Sequence, residues 1–383
     1  MTFSNNIAVF VSFSGLGGVE RMVMHLCEGF VEHGCTVDLL LINGREPLSP
    51  IPSGVRTVPL GSSHTYTSLF PLARYLKQHR PKALLAAKNR ANEVAIMARQ
   101  MAGVPTRIIV RMGTTLSAAL KGKSAVKKMV WYQPMRFTYP RCDAVVAVSR
   151  GVADDMIRIT GVDRSKVHVI HNPVITCGMT RMAACPVPHP WLATPDMPVV
   201  MGVGRLTRQK DFKTLIRAFE ILTRKIPSRL IILGEGNERM ALEDLTARLG
   251  LADRVDFPGH VENPYAYVSR ASLFVLSSLW EGSPNVLTEA LALGTPVVAT
   301  DCPSGPREVL AKGRHGPLVP MKDHGAMAMA MEQVLRHPPD KNTLVQAVAQ
   351  YKVNESSRHY LDVMLDETAI TTLENPSRLR GFY

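Results

Sequence analysis

No stretch of the 383 residues approaches the roughly 18 consecutive apolar residues that a bilayer-crossing helix requires. The first segment, MTFSNNIAVFVSFSGLGG, has no basic leader, and its short β-branched apolar run reads as a strand, not a signal peptide. The six cysteines (Cys27, Cys35, Cys142, Cys177, Cys185, Cys302) include no CxxC pair, which disfavours a zinc site or disulfide framework and fits free thiols in a reducing compartment. There is no Asp-x-Asp motif and no clustered His/Cys set. Acidic residues are nearly missing from 51–150, which hold 17 basic side chains and 2 carboxylates. Residues 1–178 hold 22 Lys+Arg against 10 Asp+Glu, whereas 179–383 are balanced at 23 against 22. The first half therefore suits something anionic: a membrane surface, a phosphate-bearing acceptor or nucleic acid. Nucleic acid is the poorest of the three, because no recognised binding module is present and the second half is neutral.

What is present is an alternation of short β-rich apolar runs with longer amphipathic stretches, the sign of parallel α/β sheets. In the first half IAVFVSF, TVDLLLI, KALLAA, RIIVRM, DAVVAVS and KVHVIH read as strands; in the second, VVMGVG, RLIILG, RVDFPG, SLFVLSS and PVVAT do. Length alone favours two domains of roughly 150–200 residues. The boundaries read as a first domain over 1–176, a linker over 177–198, a second domain over 199–353 and a polar tail over 367–383. A helix over about 354–366 is expected to return to the first domain. The linker rests on six prolines between Pro173 and Pro198, a density that argues against helix and central strand alike.

The segment EGSPNVLTE, Glu281 to Glu289, carries two carboxylates around Ser-Pro-Asn and runs directly into the core-like ALALGTPVVAT. Following the strand SLFVLSS, it lies where open α/β sheets collect ligands. Ser283 suits an N-cap and Pro284 the first helical position, so amides from about Asn285 to Leu287 are expected to open onto an anion. Glu289, five residues past Pro284, falls roughly 7.5 Å along the axis, a sensible distance from a phosphate at the helix tip to the hydroxyls of a ribose. Glu281, in the preceding loop, can meet a different part of a ligand. On spacing alone both could equally be a loop charge and a helix charge with no ligand.

EGSPNVLTE resembles the E-x7-E signature of retaining glycosyltransferases, in particular glycosyltransferase family 4, whose fold is two facing Rossmann-like domains (GT-B) with an interdomain cleft. GVGRLTRQKDFKTLIRAF, LIILGEGNER, RVDFPGHVEN, ALALGTPVVATDCPSGPREVL and the early GLGGVERM extend the resemblance over nearly the whole chain, most nearly to bacterial enzymes of surface-polysaccharide and lipid-linked oligosaccharide synthesis. The resemblance implies that Arg205 and Lys210, with Gly204 before them, meet the donor diphosphate, Glu281 the donor sugar and Glu289 the ribose. It further implies that Ser283, Pro284 and the amides of Asn285 and Val286 approach phosphate, and that His260 and Val261 lie near the base. Fixed cations suit the negative charge that develops as a nucleoside diphosphate departs, so no metal is required. The donor implied is a nucleotide sugar, UDP-linked in preference to GDP-linked, and it serves as co-substrate with no further cofactor.

In the first domain, Gly17 and Gly18 of FSGLGGVER allow close approach of backbone to a phosphate or to the acceptor. Neither this stretch, with Glu20 where a third glycine belongs, nor GVGRLT, with Thr207, completes a dinucleotide fingerprint, so a nicotinamide enzyme is disfavoured. Many family members place a histidine after the strand that here reads RIIVRM, but this chain continues GTTLS. Arg111 or Thr114 is therefore expected on the acceptor side, no catalytic histidine is assigned, and His64, His79, His168 and His171 read as structural. The lysines of KGKSAVKKMVWYQPMRFTYPRCD, interleaved with Trp131, Tyr132, Phe137 and Tyr139, suit a helix resting on anionic lipid, or an ordinary surface helix. The expectation is a cytoplasmic glycosyltransferase, peripheral at the inner membrane face, acting on a glycan or lipid-linked acceptor. A nucleotide-sugar epimerase of similar architecture and a non-catalytic membrane or nucleic-acid binder are the alternatives.

Overall fold

The computed structural model describes residues 5–13, 18–43, 50–193 and 196–366. Gly17 and the stretch 367–383 lie outside the described residues. The chain forms two compact units, one of residues 1–173 with 353–383 and one of residues 174–352.

The first unit holds a seven-stranded parallel sheet built from β1 (Asn6–Val11), β2 (Thr36–Leu41), β3 (Val55–Pro59), β4 (Ala83–Ala87), β5 (Arg107–Met112), β6 (Ala144–Ala147) and β7 (Val167–Val169). Their spatial order is β3-β2-β1-β4-β5-β6-β7, so the direction of winding reverses between β1 and β4. Alternate side chains serve opposite faces, as strand geometry demands. Ile7 and Val9 join one core with Leu26 and Phe30, while Ala8 and Phe10 join another with Leu72, Leu76 and Val94. Both faces are covered, and therefore the inner strands read as unbroken apolar runs. The helix Val353–Leu365 packs on the helix Gly18–Glu32 and buries Tyr360, Leu361 and Met364 in the first of these cores.

The second unit repeats the plan with six parallel strands: β8 (Val199–Val203), β9 (Arg229–Leu233), β10 (Val255–Gly259), β11 (Leu273–Leu276), β12 (Val297–Thr300) and β13 (Leu318–Val319). Their order is β10-β9-β8-β11-β12-β13, and winding reverses between β8 and β11.

The proline-rich stretch behaves differently from its reading as a helix-free linker. Met179–Ala184 is a helix lying wholly between Pro173 and Pro186, and Pro190–Ala193 is a short helix opened by its own proline. Met179, Val187 and Leu192 are buried in the core of the second unit. Proline disfavours a helix only at interior positions, and here Pro173, Pro186, Pro188, Pro190 and Pro198 stand at a helix end or outside.

Candidate active site

The candidate residues of the second unit gather at the carboxyl ends of β8 and β11, the two strands that flank the switch point. Ligands of open α/β sheets bind outside such ends. The loop after β8 carries Gly204, Arg205 and Lys210, and the loop after β11 carries Ser277 to Pro284. Lys210 Nζ donates to Glu281 Oε1 at 2.7 Å, and Ser278 Oγ donates to the same oxygen at 2.7 Å. Only 7% of Glu281 is exposed. Hydrogen bonds to main-chain carbonyls clamp the two loops: Leu279 N–H donates to Gln209 O (2.8 Å), Gln209 Nε2 to Trp280 O (2.9 Å) and Ser277 Oγ to Lys210 O (2.6 Å). The pair is thus held by main chain on both sides. Beside it, burial and then the Glu281 carboxylate push the Cys302 thiol up to about 12, so this cysteine stays protonated at neutral pH.

Arg205 contrasts with Lys210. It is exposed, and its guanidinium makes no hydrogen bond or ion pair among the described residues. The lysine stem lies against Gly204, where a Cβ would stand 2.8 Å from Lys210 Cε. Arg205 and Lys210 therefore offer one uncommitted and one carboxylate-bound cation in a single loop.

The neighbouring loops press close to this one. Gly204 N–H donates to Leu233 O (2.9 Å), Leu206 N–H to Glu235 O (2.9 Å) and Glu238 N–H to Leu206 O (3.0 Å). A Cβ on Gly236 would lie 2.2 Å from Leu206 O, so only glycine permits this approach. The roles assigned above left Gly234 and Gly236 out, although the GEG spacing straight after an apolar strand carries the signal. His260, at the end of β10, is exposed, and no hydrogen bond or ion pair ties it to the others among the described residues. Val261 is half-buried against the apolar core.

The helix carrying Glu289 spans Asn285–Ala292, and its N-cap is Pro284 in extended conformation, with no side-chain cap bond. Ser283 is therefore not the cap, and the helix opens one residue later than its sequence suggests. Leu287 and Thr288 N–H both donate to Pro284 O, at 3.0 and 3.3 Å. The expected amide at Leu287 is thereby spent, and the tip consists of Asn285 and Val286. Glu289, buried at 7% exposure, stands on the second turn, about 6 Å along the axis from Asn285.

In the first unit, Gly18 is exposed at the start of its helix. Arg111 departs from the acceptor-side reading. It is 3% exposed, and its Nη2 donates to Asn172 Oδ1 at 2.6 Å. Strand alternation puts it on the face of Ile109, which the returning helix Val353–Leu365 covers, and its charge acts on the buried Tyr360 hydroxyl there. It is a buried packing cation. Thr114 is half-buried. The switch point of this sheet carries a pair that sequence reasoning missed: Lys88 Nζ donates to Glu20 Oε1 (2.6 Å) and to Ser12 O (2.7 Å).

Of the interfacial aromatics, Tyr139 is fully buried and accepts from Asn92 Nδ2 (2.9 Å), while Trp131 and Tyr132 pack partly buried against the core. Only Phe137 faces water. The Tyr139 ring and hydroxyl both find partners inside, so this aromatic does not lie at headgroup depth, whereas Trp131 and Tyr132 keep part of their surface exposed.

Two doubly wound parallel sheets in series, with charged side chains in the loops at their switch points, define the paired Rossmann-like class. A family model for glycosyl transferases group 1 matches residues 190–351, and one for the glycosyl transferase 4-like domain matches residues 17–173. The chain belongs to the group 1 glycosyltransferases with a 4-like first domain. It is 31% identical over 247 residues to the N-acetylgalactosamine-N,N'-diacetylbacillosaminyl-diphospho-undecaprenol 4-alpha-N-acetylgalactosaminyltransferase of Campylobacter jejuni, covering 64% of this chain and 65% of that protein, just under two thirds of its length. It is 29% identical over 350 residues to the lipopolysaccharide core biosynthesis glycosyltransferase LpsE of Rhizobium meliloti, covering 89% and 92%. The solved structure of Anabaena Alr3699/HepE in complex with UDP and glucose shares the fold, with a TM-score of 0.68 and 20% identity over 97% of this chain and 100% of that one.

Proposed function

We propose that the protein transfers a sugar from a nucleoside diphosphate donor, UDP-linked, to a glycan or lipid-linked acceptor during synthesis of cell-surface polysaccharide. The observation that carries this reading is the cation pair of one loop, Arg205 uncommitted and Lys210 bound to Glu281, the residue four positions before the helix start at Asn285. Departure of the nucleoside diphosphate concentrates negative charge on its phosphates. Arg205 supplies a planar fork for their oxygens, Lys210 a compact charge, and the helix start adds amides and dipole. In this reading these groups replace a metal. Glu281 holds Lys210 in place and reaches the donor sugar, Glu289 receives the ribose hydroxyls, and His260 with Val261 flank the base. Transfer proceeds with retention of configuration at the anomeric carbon, as the E-x7-E resemblance implies. The relative that acts on a diphospho-undecaprenol-linked glycan and the neighbour solved with UDP and glucose support the choice of acceptor and donor.

A thermal-shift panel of UDP, GDP and ADP and their sugars tests the donor, with Arg205→Ala as the comparison. Stabilisation by UDP species that is lost in the variant supports the reading; no shift with any nucleotide overturns it. Donor turnover that needs no acceptor would instead mark an epimerase.

The acceptor reading extends to the helix Ala125–Thr138. Val126, Met129, Val130 and Phe137 are exposed at helical spacing, and Lys121, Lys123, Lys127, Arg136 and Arg141 are exposed around them. An apolar stripe edged by cations suits anionic lipid headgroups. Among the described residues, no helix is long and apolar enough to cross a membrane. Cosedimentation with phosphatidylglycerol vesicles, absent with phosphatidylcholine and lost in Val130→Glu/Phe137→Glu, is the expected result. Equal binding by the double variant removes the membrane from the reading.

A further inference from the structure

Residues 51–150 hold only two carboxylates among 17 basic side chains, and the two have opposite fates. Asp143 is consumed structurally, accepting from Arg99 Nη1 (2.9 Å) and from Ile108 N–H (2.6 Å). Glu93 is not. It is 6% exposed, and its Oε2 accepts only from the neutral Tyr66 hydroxyl at 3.1 Å. No second hydrogen bond or ion pair to this carboxylate forms among the described residues, and its Oε1 is left open. The nearest cation, Arg90, does not pair with it; that guanidinium stands 5.9 Å from the centroid of the Tyr66 ring and is exposed. Burial pushes the Glu93 carboxyl up from its usual range, so its placement costs stability that no ion pair returns.

These three groups sit together for a definite reason. The helix Asn89–Ala102 starts directly after β4, one of the two strands at the switch point, and Arg90 and Glu93 are three apart on its first turns. Lys88 enters the helix at φ 80° and is pinned to Ser12 O and Glu20. The 3-10 turn Tyr66–Ser68 packs on this helix and presents the Tyr66 ring, 46% exposed.

We propose that Tyr66, Arg90 and Glu93 form a binding site for an uncharged pyranose ring of the acceptor. This rests on the transfer reading above for the word acceptor, and on the geometry for the ligand class. An open carboxylate oxygen accepts from sugar hydroxyls and repels a phosphate, which makes the cluster unsuited to the anionic part of a ligand. The Tyr66 face covers the C–H face of a pyranose, and Arg90 donates to a ring or amide oxygen.

The test is ligand-observed saturation-transfer NMR on the full chain. Its probes are methyl α-D-glucopyranoside, methyl α-N-acetyl-D-galactosaminide and, as an anionic control, methyl glucuronide. Saturation of at least one neutral glycoside is expected, with little of the glucuronide and a loss of at least tenfold in affinity for Tyr66→Ala and Glu93→Ala, as removing a hydrogen bond to a charged group implies. In transfer assays the same variants raise acceptor KM about tenfold and leave donor KM unchanged. Tyr66→Ala lies on an exposed turn, so it carries the test if Glu93→Ala does not fold. Failure of all the neutral glycosides to saturate, or equal saturation in Tyr66→Ala, overturns the site. Saturation by a sugar in a chain that transfers nothing keeps the site and removes the transfer reading.

Discussion

Lys210 and Glu281, 71 residues apart in the chain, meet at 2.7 Å across the switch point of the second sheet. The contact makes each the other's counter-charge, with Lys210 half-buried and Glu281 nearly closed off. A lysine so held loses its freedom. In the proposed reaction it would meet the diphosphate with little left to order, the condition under which fixed charge lowers a barrier most.

If the pair acts as a unit, its members are not additive. Lys210→Met and Glu281→Gln are each expected to lower kcat about 100-fold or more, in the range seen when one preorganised electrostatic group is removed. The double variant should be little worse than the poorer single one. Steady-state transfer assays on the three proteins, with circular dichroism to confirm folding, measure this. Effects that multiply would mean two independent roles.

Much of this was legible in the sequence because both sheets are covered on two faces. Buried parallel strands are mostly apolar runs, and β1, β2, β4, β5, β6, β8, β9, β11 and β12 show them. β3 was not read because VRTVP is an edge strand with mostly exposed side chains, and β13 is only two residues long. The cap was misread by one residue because Pro284 takes an extended conformation that leaves it outside the helix. Arg111 was misread for a deeper reason: its burial depends on Asn172 and on a helix about 250 residues away in the chain, and no local pattern encodes either. The Tyr66, Arg90 and Glu93 cluster was invisible for the same reason, since 27 residues separate the two hydrogen-bonded members.

Gly305 governs the start of the Asn285–Ala292 helix. Its φ is 94°, and a Cβ there would stand 2.6 Å from Pro284 Cδ and 3.0 Å from Gly282 O. Gly305→Ala is therefore strained in backbone and in contact, at a cost of about 1–3 kcal/mol. The chain can relieve the contact only by moving Pro284, which displaces the amides at Asn285 and Val286. Weaker UDP binding by isothermal titration, along with a lower melting temperature, is the expected outcome. A variant that melts lower but binds UDP normally would detach the helix tip from the nucleotide.

Stability of the first unit depends on a buried carboxylate that no role in transfer requires. Asp38 on β2 is wholly buried and accepts from Arg56 Nε (2.7 Å), Arg56 Nη2 (2.6 Å) and the Tyr75 hydroxyl (2.5 Å). These donors hold its carboxyl below the usual range despite its burial. Asp38→Ala strands the Tyr75 hydroxyl in the interior, for a loss of about 2–3 kcal/mol. Urea unfolding should show that loss, and a change within error would mean that water replaces the carboxylate.

Acid should weaken the protein through histidines that the fold keeps neutral. His25 donates from Nδ1 to Pro173 O at 2.9 Å, and burial, opposed by that bond and aided by Arg21, lowers its pKa; burial and Arg107 do the same at His168. A histidine in the unfolded chain takes up its proton near pH 6.5. The native one resists until a lower pH, so between the two the unfolded state binds more protons and stability rises with pH. Stability is accordingly flat above about pH 7 and falls as pH drops through the ordinary histidine range toward the lowered native values. The urea midpoint measured from pH 8 to pH 5 should show this slope. His25→Asn, whose amide can still donate to Pro173 O, should show a shallower one. If the variant loses stability on acidification as steeply as the parent, the His25 proton is not what the fold excludes.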